Sequence, residues 1–198
     1  DYHILYNWWS DVCTTLSTAL PGNQQVQFYL SHAVDRVYNP DHNWGVDEMR
    51  TQVSHTRDVL TNGYSGSVYY SARYYLNLNN WINTEHELTI TSTMCQELRA
   101  SHYQTKALVP PMSWKSNTQL AAPTQLRLDG NTLSWQHSAG AARYTVYVYP
   151  KNVNMYTAIS EVRYLQQVVY GNSIALAGFD PATHNVAVRS YDRYGVEY

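Results

Sequence analysis

The chain has 198 residues, of which 44% are hydrophobic, and a formal net charge of −2 at pH 7. This length and composition suit one or two globular domains. The near-neutral charge, without a basic stripe, disfavours nucleic acid as a partner. No apolar run approaches the roughly 18 residues that a membrane-spanning helix needs. The first residues lack the basic start of a signal peptide, and the missing initiator Met favours a processed product or an excised fragment.

The aromatic composition is unusual, with 19 Tyr and 6 Trp against 2 Phe. Tyr and Trp combine an apolar face with a polar edge. Sugars have the same dual character, so carbohydrate-binding sites favour these residues. A Tyr-rich β-domain with half-exposed strands has the same composition, and both interpretations stay open.

The first predicted element is an amphipathic helix. Its apolar residues recur at positions 5, 8, 9, 12, 13 and 16, which places Trp8 and Trp9 in the core. Pro21 and Gly22 end it. Cys13 and Cys95 lie in separate helical patterns and are expected to be reduced core residues, not a disulfide.

The rest of the first half alternates strands with helices. Strands are predicted over 26–31 and 66–71, and helices over about 47–60 and 85–100. In the helix 47–60 the inward positions are Met49, Val53, Thr56 and Leu60. Strands joined through helices pair in parallel. Two parallel strands need further neighbours and cover on both faces, so this half is expected to be incomplete at its N-terminus.

A change of pattern follows Pro110 and Pro111, which interrupt regular structure. We assign 1–106 to the first domain, 107–121 to a linker and 122–198 to the second domain. The apolar residues of the linker predict that it packs on a surface. In the second domain the helical period disappears, and short alternating strands with regular turns predict a β-sandwich.

The second half resembles the fibronectin type III domain. The resemblance rests on Ala122-Pro123, on Trp135 as the core Trp, and on the strands 144–147 and 186–191. His184 stands where that family usually has a corner Tyr. Because Tyr198 lies where the seventh strand begins, that strand is expected to be missing or very short, with an exposed edge.

The first half resembles the glycosyl-hydrolase-like family 10 of bacteria. The resemblance rests on Asn-Trp-Trp-Ser-Asp-Val at 7–12, Gly-Ser-Val-Tyr-Tyr-Ser-Ala at 66–72, and Ala-Leu-Val-Pro-Pro-Met-Ser-Trp at 107–114. It implies an α/β plus all-β chain: the last two βα units of a (β/α)8 barrel, then a fibronectin type III-like β-sandwich. The catalytic acids would lie on earlier strands. The resemblance also implies the bacterial cell envelope as location, either the periplasm or an outer-membrane lipoprotein.

Candidate sugar-binding residues follow from this placement, because barrel chemistry sits at the carboxyl ends of the strands. Side chains there could hydrogen-bond sugar hydroxyls or stack on a sugar ring. The alternatives are bonding within the barrel rim and packing of loop against loop. The candidates are His32, Asp35, Arg36, Trp44, Arg73, Tyr74 and Tyr75.

No catalytic residue is assigned in this chain. Glycoside hydrolysis usually needs two carboxylates, and Asp35 is the single carboxylate close by. A lone carboxylate in a loop is more often a cap or a salt-bridge partner. His32, Asp41 and His42 fit no metal-ligand pattern, and neither a metal nor a cofactor is expected. A Ser nucleophile is unsupported, because no Gly-x-Ser-x-Gly elbow is present.

Two functions remain open. The first is the C-terminal portion of a bacterial glycoside hydrolase that acts on a glycan such as peptidoglycan strands and is inactive alone. The second is a non-catalytic carbohydrate- or protein-binding module. The expected partners are a polysaccharide or glycan, and either the rest of the parent barrel or a self-associating edge.

Overall fold

The computed structural model describes residues 2–22, 24–38, 44–58, 64–71 and 85–198. The chain divides into two compact units, Asp1–Gln104 and Thr105–Tyr198. The first unit mixes helices and strands: α1 (Tyr2–Ala19), β1 (Phe28–Ala33), α2 (Asp35–Tyr38), α3 (Val46–Asp58), β2 (Tyr64–Tyr70) and α4 (Glu85–Ser101).

The strands β1 and β2 pair in parallel, with α3 in the connection between them. The register places His32 opposite Tyr69 and Ala33 opposite Tyr70. The predicted parallel pairing is therefore confirmed. Within the described ranges, the first unit contains this two-stranded sheet and no closed barrel.

The core of the first unit lies between one face of this sheet and the helices α3 and α4. Met49 and Val53 are fully buried in it, as their spacing predicts, and Thr56 is buried as well. Leu60 lies outside the described residues. Both cysteines are free thiols; Cys13 is buried as expected, whereas Cys95 is only half-buried. The buried apolar cluster consists of Val34, Val37, Met49, Val53, Met94 and Leu98, with Tyr69 packed against it.

The helix α1 turns a different face inward from the one predicted. Its buried residues are Tyr6, Ser10 and Cys13. Trp8 and Trp9 are 54% and 44% exposed, so their assignment to the core is wrong. Of the predicted apolar stripe, Cys13 is buried, whereas Leu5 and Leu16 are exposed like the two tryptophans.

The aromatic side chain of Tyr6 explains this orientation. Its hydroxyl donates to the Thr56 carbonyl oxygen at 3.4 Å. Its ring centroid lies 5.6 Å from that of Phe28 and 5.1 Å from that of His55. A buried Tyr usually finds a hydrogen-bond partner for its hydroxyl, and helical spacing does not reveal such a contact.

The second unit consists of two three-stranded antiparallel sheets with a core between them. The strands are β3 (Thr124–Asp129), β4 (Thr132–Gln136), β5 (Arg143–Pro150), β6 (Leu165–Val169), β7 (Ser173–Ala175) and β8 (His184–Tyr191). The sheet orders are β3-β4-β7 and β6-β5-β8. Trp135 is 3% exposed and packs edge-on against Tyr144, which confirms its predicted place in the core.

A short helix, α5 (Met155–Ser160), interrupts the strands of the second unit. The sequence predicts no helix there, because six residues are too few to show a helical period. The Asn154 side chain caps it and accepts from the Tyr156 amide at 2.8 Å, an N-cap geometry. Ala158 of this helix is fully buried against Tyr147 and Tyr149, so α5 covers the outer face of the second sheet.

The predicted linker packs on the second unit. Leu108 contacts the cluster under α5, and the Met112 amide donates to the Tyr194 carbonyl oxygen at 2.8 Å. Gly195 has a φ of 83°, and an added Cβ would lie 3.3 Å from the Pro111 Cα. The close approach of the prolines therefore requires glycine at 195.

The residues after β8 turn back along its edge. Glu197 forms an isolated antiparallel bridge with Tyr191, and the Tyr198 amide donates to the Ser190 carbonyl oxygen at 2.9 Å. Arg189 and Glu197 form an ion pair at 3.4 Å. In this chain the predicted seventh strand is represented by this short pairing.

Candidate functional site

The carboxyl ends of β1 and β2 lie at one edge of the parallel sheet. His32 belongs to the end of β1, and Asp35 and Arg36 begin α2 directly after it. Trp44 precedes α3. The candidates Arg73, Tyr74 and Tyr75 lie outside the described residues, as do Asp41 and His42.

Arg36 and Trp44 come together at this edge. The Arg36 guanidinium carbon lies 5.5 Å from the centroid of the Trp44 ring, a cation–π distance. Asp35 is half-buried in the first turn of α2. The pairing of a cation with an aromatic ring suits both alternatives from the sequence, a sugar contact and packing of loop on helix.

His32 occupies the interface between the sheet and α3. It is 0% exposed. Its Nδ1 lies 3.3 Å from Gln52 Oε1, and its Nε2 lies 2.9 Å from Ser67 Oγ. A ligand could reach the ring only if one of these partners moved. The assignment of His32 as a sugar contact therefore stays a prediction.

The hydrogen-bond chain around His32 defines its protonation. The Gln52 Nε2 donates to Glu48 Oε1 at 2.9 Å, so the Gln52 oxygen faces the imidazole and accepts from Nδ1–H. Nε2 then accepts from the Ser67 hydroxyl. Burial lowers the pKa of His32, and the Gln52 hydrogen bond opposes this only in part. The ring is therefore a neutral connector between α3 and β2.

Sequence reasoning missed the contact between Ser67 and His32. A hydroxyl, an imidazole and an orienting amide in this order also occur in nucleophilic catalysis. Here the imidazole is closed to solvent and lies under α3. We therefore assign the contact between Ser67 and His32 a structural role.

The second face of the parallel sheet is open. Alternate residues of each strand point to opposite faces: His32 and Tyr69 turn towards α3, whereas Tyr29, Val68 and Tyr70 are exposed. Tyr70 is 61% exposed and Val68 49%. Parallel sheets in α/β proteins are normally covered on both faces. Among the described residues of the first unit, this face therefore lacks the cover that a parallel sheet normally has.

In the second unit, Asp192 lines a cavity of about 310 Å³. Its Oδ1 accepts from the Tyr194 and Val196 amides at 2.8 Å and 2.9 Å. Its Oδ2 accepts from the hydroxyls of Ser116 and Tyr198. Burial raises the pKa of this carboxyl, but the four hydrogen bonds outweigh it and hold the pKa below its usual value. With both oxygens occupied, Asp192 is a structural anchor.

The described ranges contain no candidate metal centre and no candidate membrane span. No three His, Cys, Asp or Glu side chains there form a group that could hold a metal ion. None of the helices described is long and apolar enough to cross a membrane. No protein-family model and no curated protein matches this chain.

Proposed function

We propose that the chain is the C-terminal portion of a bacterial glycoside hydrolase. The first unit would supply the last two βα units of a (β/α)8 barrel, and the second a fibronectin type III-like domain. The observation that carries this proposal is the open second face of the sheet formed by β1 and β2.

A barrel strand has two environments. One face meets the outer helices, and the other points into the barrel, where side chains from all eight strands fill the interior. His32 and Tyr69 meet α3 as the first environment requires, and Tyr29, Val68 and Tyr70 fit the second. The exposed stripe of α1 supports the same view, because outer helices pack against their neighbours around a barrel.

The second unit supports the proposed domain type. Its core Trp135 lies between two antiparallel sheets, as the resemblance implies. The helix α5 and the short pairing after β8 are features of this chain beyond the motifs that carry the resemblance. In this proposal the second unit is a packing partner or spacer for the barrel.

The catalytic acids would lie outside this chain. Hydrolysis of a glycosidic bond usually needs two carboxylates, about 5–10 Å apart. In the described part of the carboxyl edge, Asp35 is the carboxylate that follows β1. With Arg36 and Trp44 beside it, this edge would contribute to the substrate-binding rim.

Hydrolysis assays on peptidoglycan strands and on chitin and cellulose oligosaccharides test the proposal. We expect no hydrolysis by the 198-residue chain and hydrolysis of at least one glycan by a longer polypeptide that adds the preceding barrel units. Asp35→Asn in the longer polypeptide should lower kcat/KM by less than about 100-fold, because Asp35 would contact substrate without acting as a catalytic acid. Activity of the short chain, or a loss of about 100-fold or more in Asp35→Asn, would contradict the proposal.

A second candidate, a carbohydrate- or protein-binding module, is favoured by two tyrosines of the second unit. Tyr156 and Tyr170 are 74% and 78% exposed, and the Arg143 guanidinium carbon lies 5.4 Å from the Tyr170 ring centroid. Calorimetric titration of the chain and of Tyr170→Ala with the same glycans decides between the candidates. Binding that Tyr170→Ala abolishes favours the module, and no binding leaves the second unit as a spacer.

A further inference from the structure

We infer that Tyr70 stacks on a sugar ring of the substrate; this inference rests on the proposed function. Tyr70 is the last residue of β2. It lies at the carboxyl edge of the sheet and on the open face, and more than half of its side-chain surface is exposed. It is absent from the candidates that the sequence suggests.

Among the described residues, the neighbours of Tyr70 leave room beside its ring. Its register partner on β1 is Ala33, which carries only a methyl group. The preceding residue, Tyr69, turns the other way and stacks on His32, with ring centroids 5.1 Å apart. The two adjacent tyrosines thus have different tasks: Tyr69 packs under α3, and Tyr70 presents its ring at the opposite face.

The chemistry of the open face suits a neutral sugar. The residues of β1 and β2 that point to it, Tyr29, Ser31, Ala33, Val68 and Tyr70, carry no charge. A phosphate or carboxylate ligand would need a cation or a cluster of amide donors. A pyranose ring instead offers an apolar C–H face, which an aromatic ring with a polar edge matches.

Tyr29 provides a matched control on the same face. It pairs with Gly66 near the amino ends of the strands, and an added Cβ on Gly66 would lie 3.0 Å from Tyr29 Cε1. The Tyr29 ring therefore covers a glycine. Chemistry in a barrel belongs to the carboxyl ends, and the opposite end serves stability, so Tyr29 should not touch substrate.

The experiment compares Tyr70→Ala, Tyr70→Phe and Tyr29→Ala in the longer polypeptide. For Tyr70→Ala we expect kcat/KM on the hydrolysed glycan to fall about tenfold or more, the loss of one stacking contact. Tyr70→Phe keeps the ring and should stay within about threefold. Tyr29→Ala should lower Tm by several degrees and leave kcat/KM within about threefold, since it acts on packing alone.

Three results would overturn the inference while the proposed function stands. They are unchanged kcat/KM in Tyr70→Ala, equal losses in Tyr70→Phe and Tyr70→Ala, and an equal loss of kcat/KM in Tyr29→Ala. A wild-type polypeptide that neither binds nor hydrolyses any of the three glycans overturns the proposed function and this inference together. Binding is measured by calorimetry, which makes these failures distinguishable.

Discussion

Trp135→Ala is expected to destabilise the second unit by about 3–5 kcal/mol, the range for truncation of a large buried aromatic side chain. The indole is buried between the two sheets, and its ring centroid lies 5.2 Å from that of Tyr144. Its Nε1 has no hydrogen-bond partner. The expected loss therefore comes from packing and the cavity, not from a broken hydrogen bond.

Trp135→Phe is the control that shows whether the loss comes from packing. It should lower the free energy of unfolding by clearly less, about 1–3 kcal/mol, because Phe keeps much of the side-chain volume. Urea denaturation of the chain, followed by circular dichroism, measures both variants. A loss below about 1 kcal/mol in Trp135→Ala would contradict the place of Trp135 in the core.

Replacement of His32 is expected to have the largest effect in the first unit. His32→Ala removes a fully buried ring and leaves Ser67 and Gln52 without their imidazole partner. A cavity together with the loss of two side-chain hydrogen bonds costs about 3 kcal/mol. His102→Ala, at a partly exposed position of the same unit, should change the free energy of unfolding by less than about 0.5 kcal/mol.

The same residue predicts a pH dependence. Burial lowers the pKa of His32 in the folded state, so at mildly acidic pH the unfolded chain binds the proton more readily. The neutral His32 ring makes its full contribution to the free energy of unfolding above the usual His pKa of about 6.5. This contribution is lost as the pH falls from there towards the lower folded pKa. The free energy of unfolding of the wild type should therefore fall between about pH 7 and pH 5 more steeply than that of His32→Ala. Equal slopes would contradict a buried neutral ring.

Local rules predicted the longer helices of the first unit and the pairing of its two strands, but not the side-chain contacts between distant residues. The parallel pairing of β1 and β2 follows from the helix between them, and Met49 and Val53 follow from helical spacing. The inward face of α1 depends on Tyr6 and Thr56, fifty residues apart. Such long-range contacts leave no periodic signal in a sequence.

The candidate site shows the same limit. The carboxyl edge of the sheet was predicted, and Arg36 and Trp44 do meet there. The burial of His32 on β1 was not predicted, because its partners lie far along the chain. Gln52 belongs to α3 and Ser67 to β2. The exposure of Tyr70 was missed because the sequence Val-Tyr-Tyr is typical of a buried strand. It does not show which face of the strand other elements cover.

The central claim is that the open face of β1 and β2 belongs to the interior of a larger barrel. The most direct test is the rate of maleimide labelling at Val68→Cys, with Cys13 and Cys95 replaced by Ser. Val68 is 49% exposed in this chain, so the 198-residue chain should label readily. In the longer polypeptide we predict labelling at least about tenfold slower, because the interior closes over residue 68. Equal rates in the two proteins would contradict the claim.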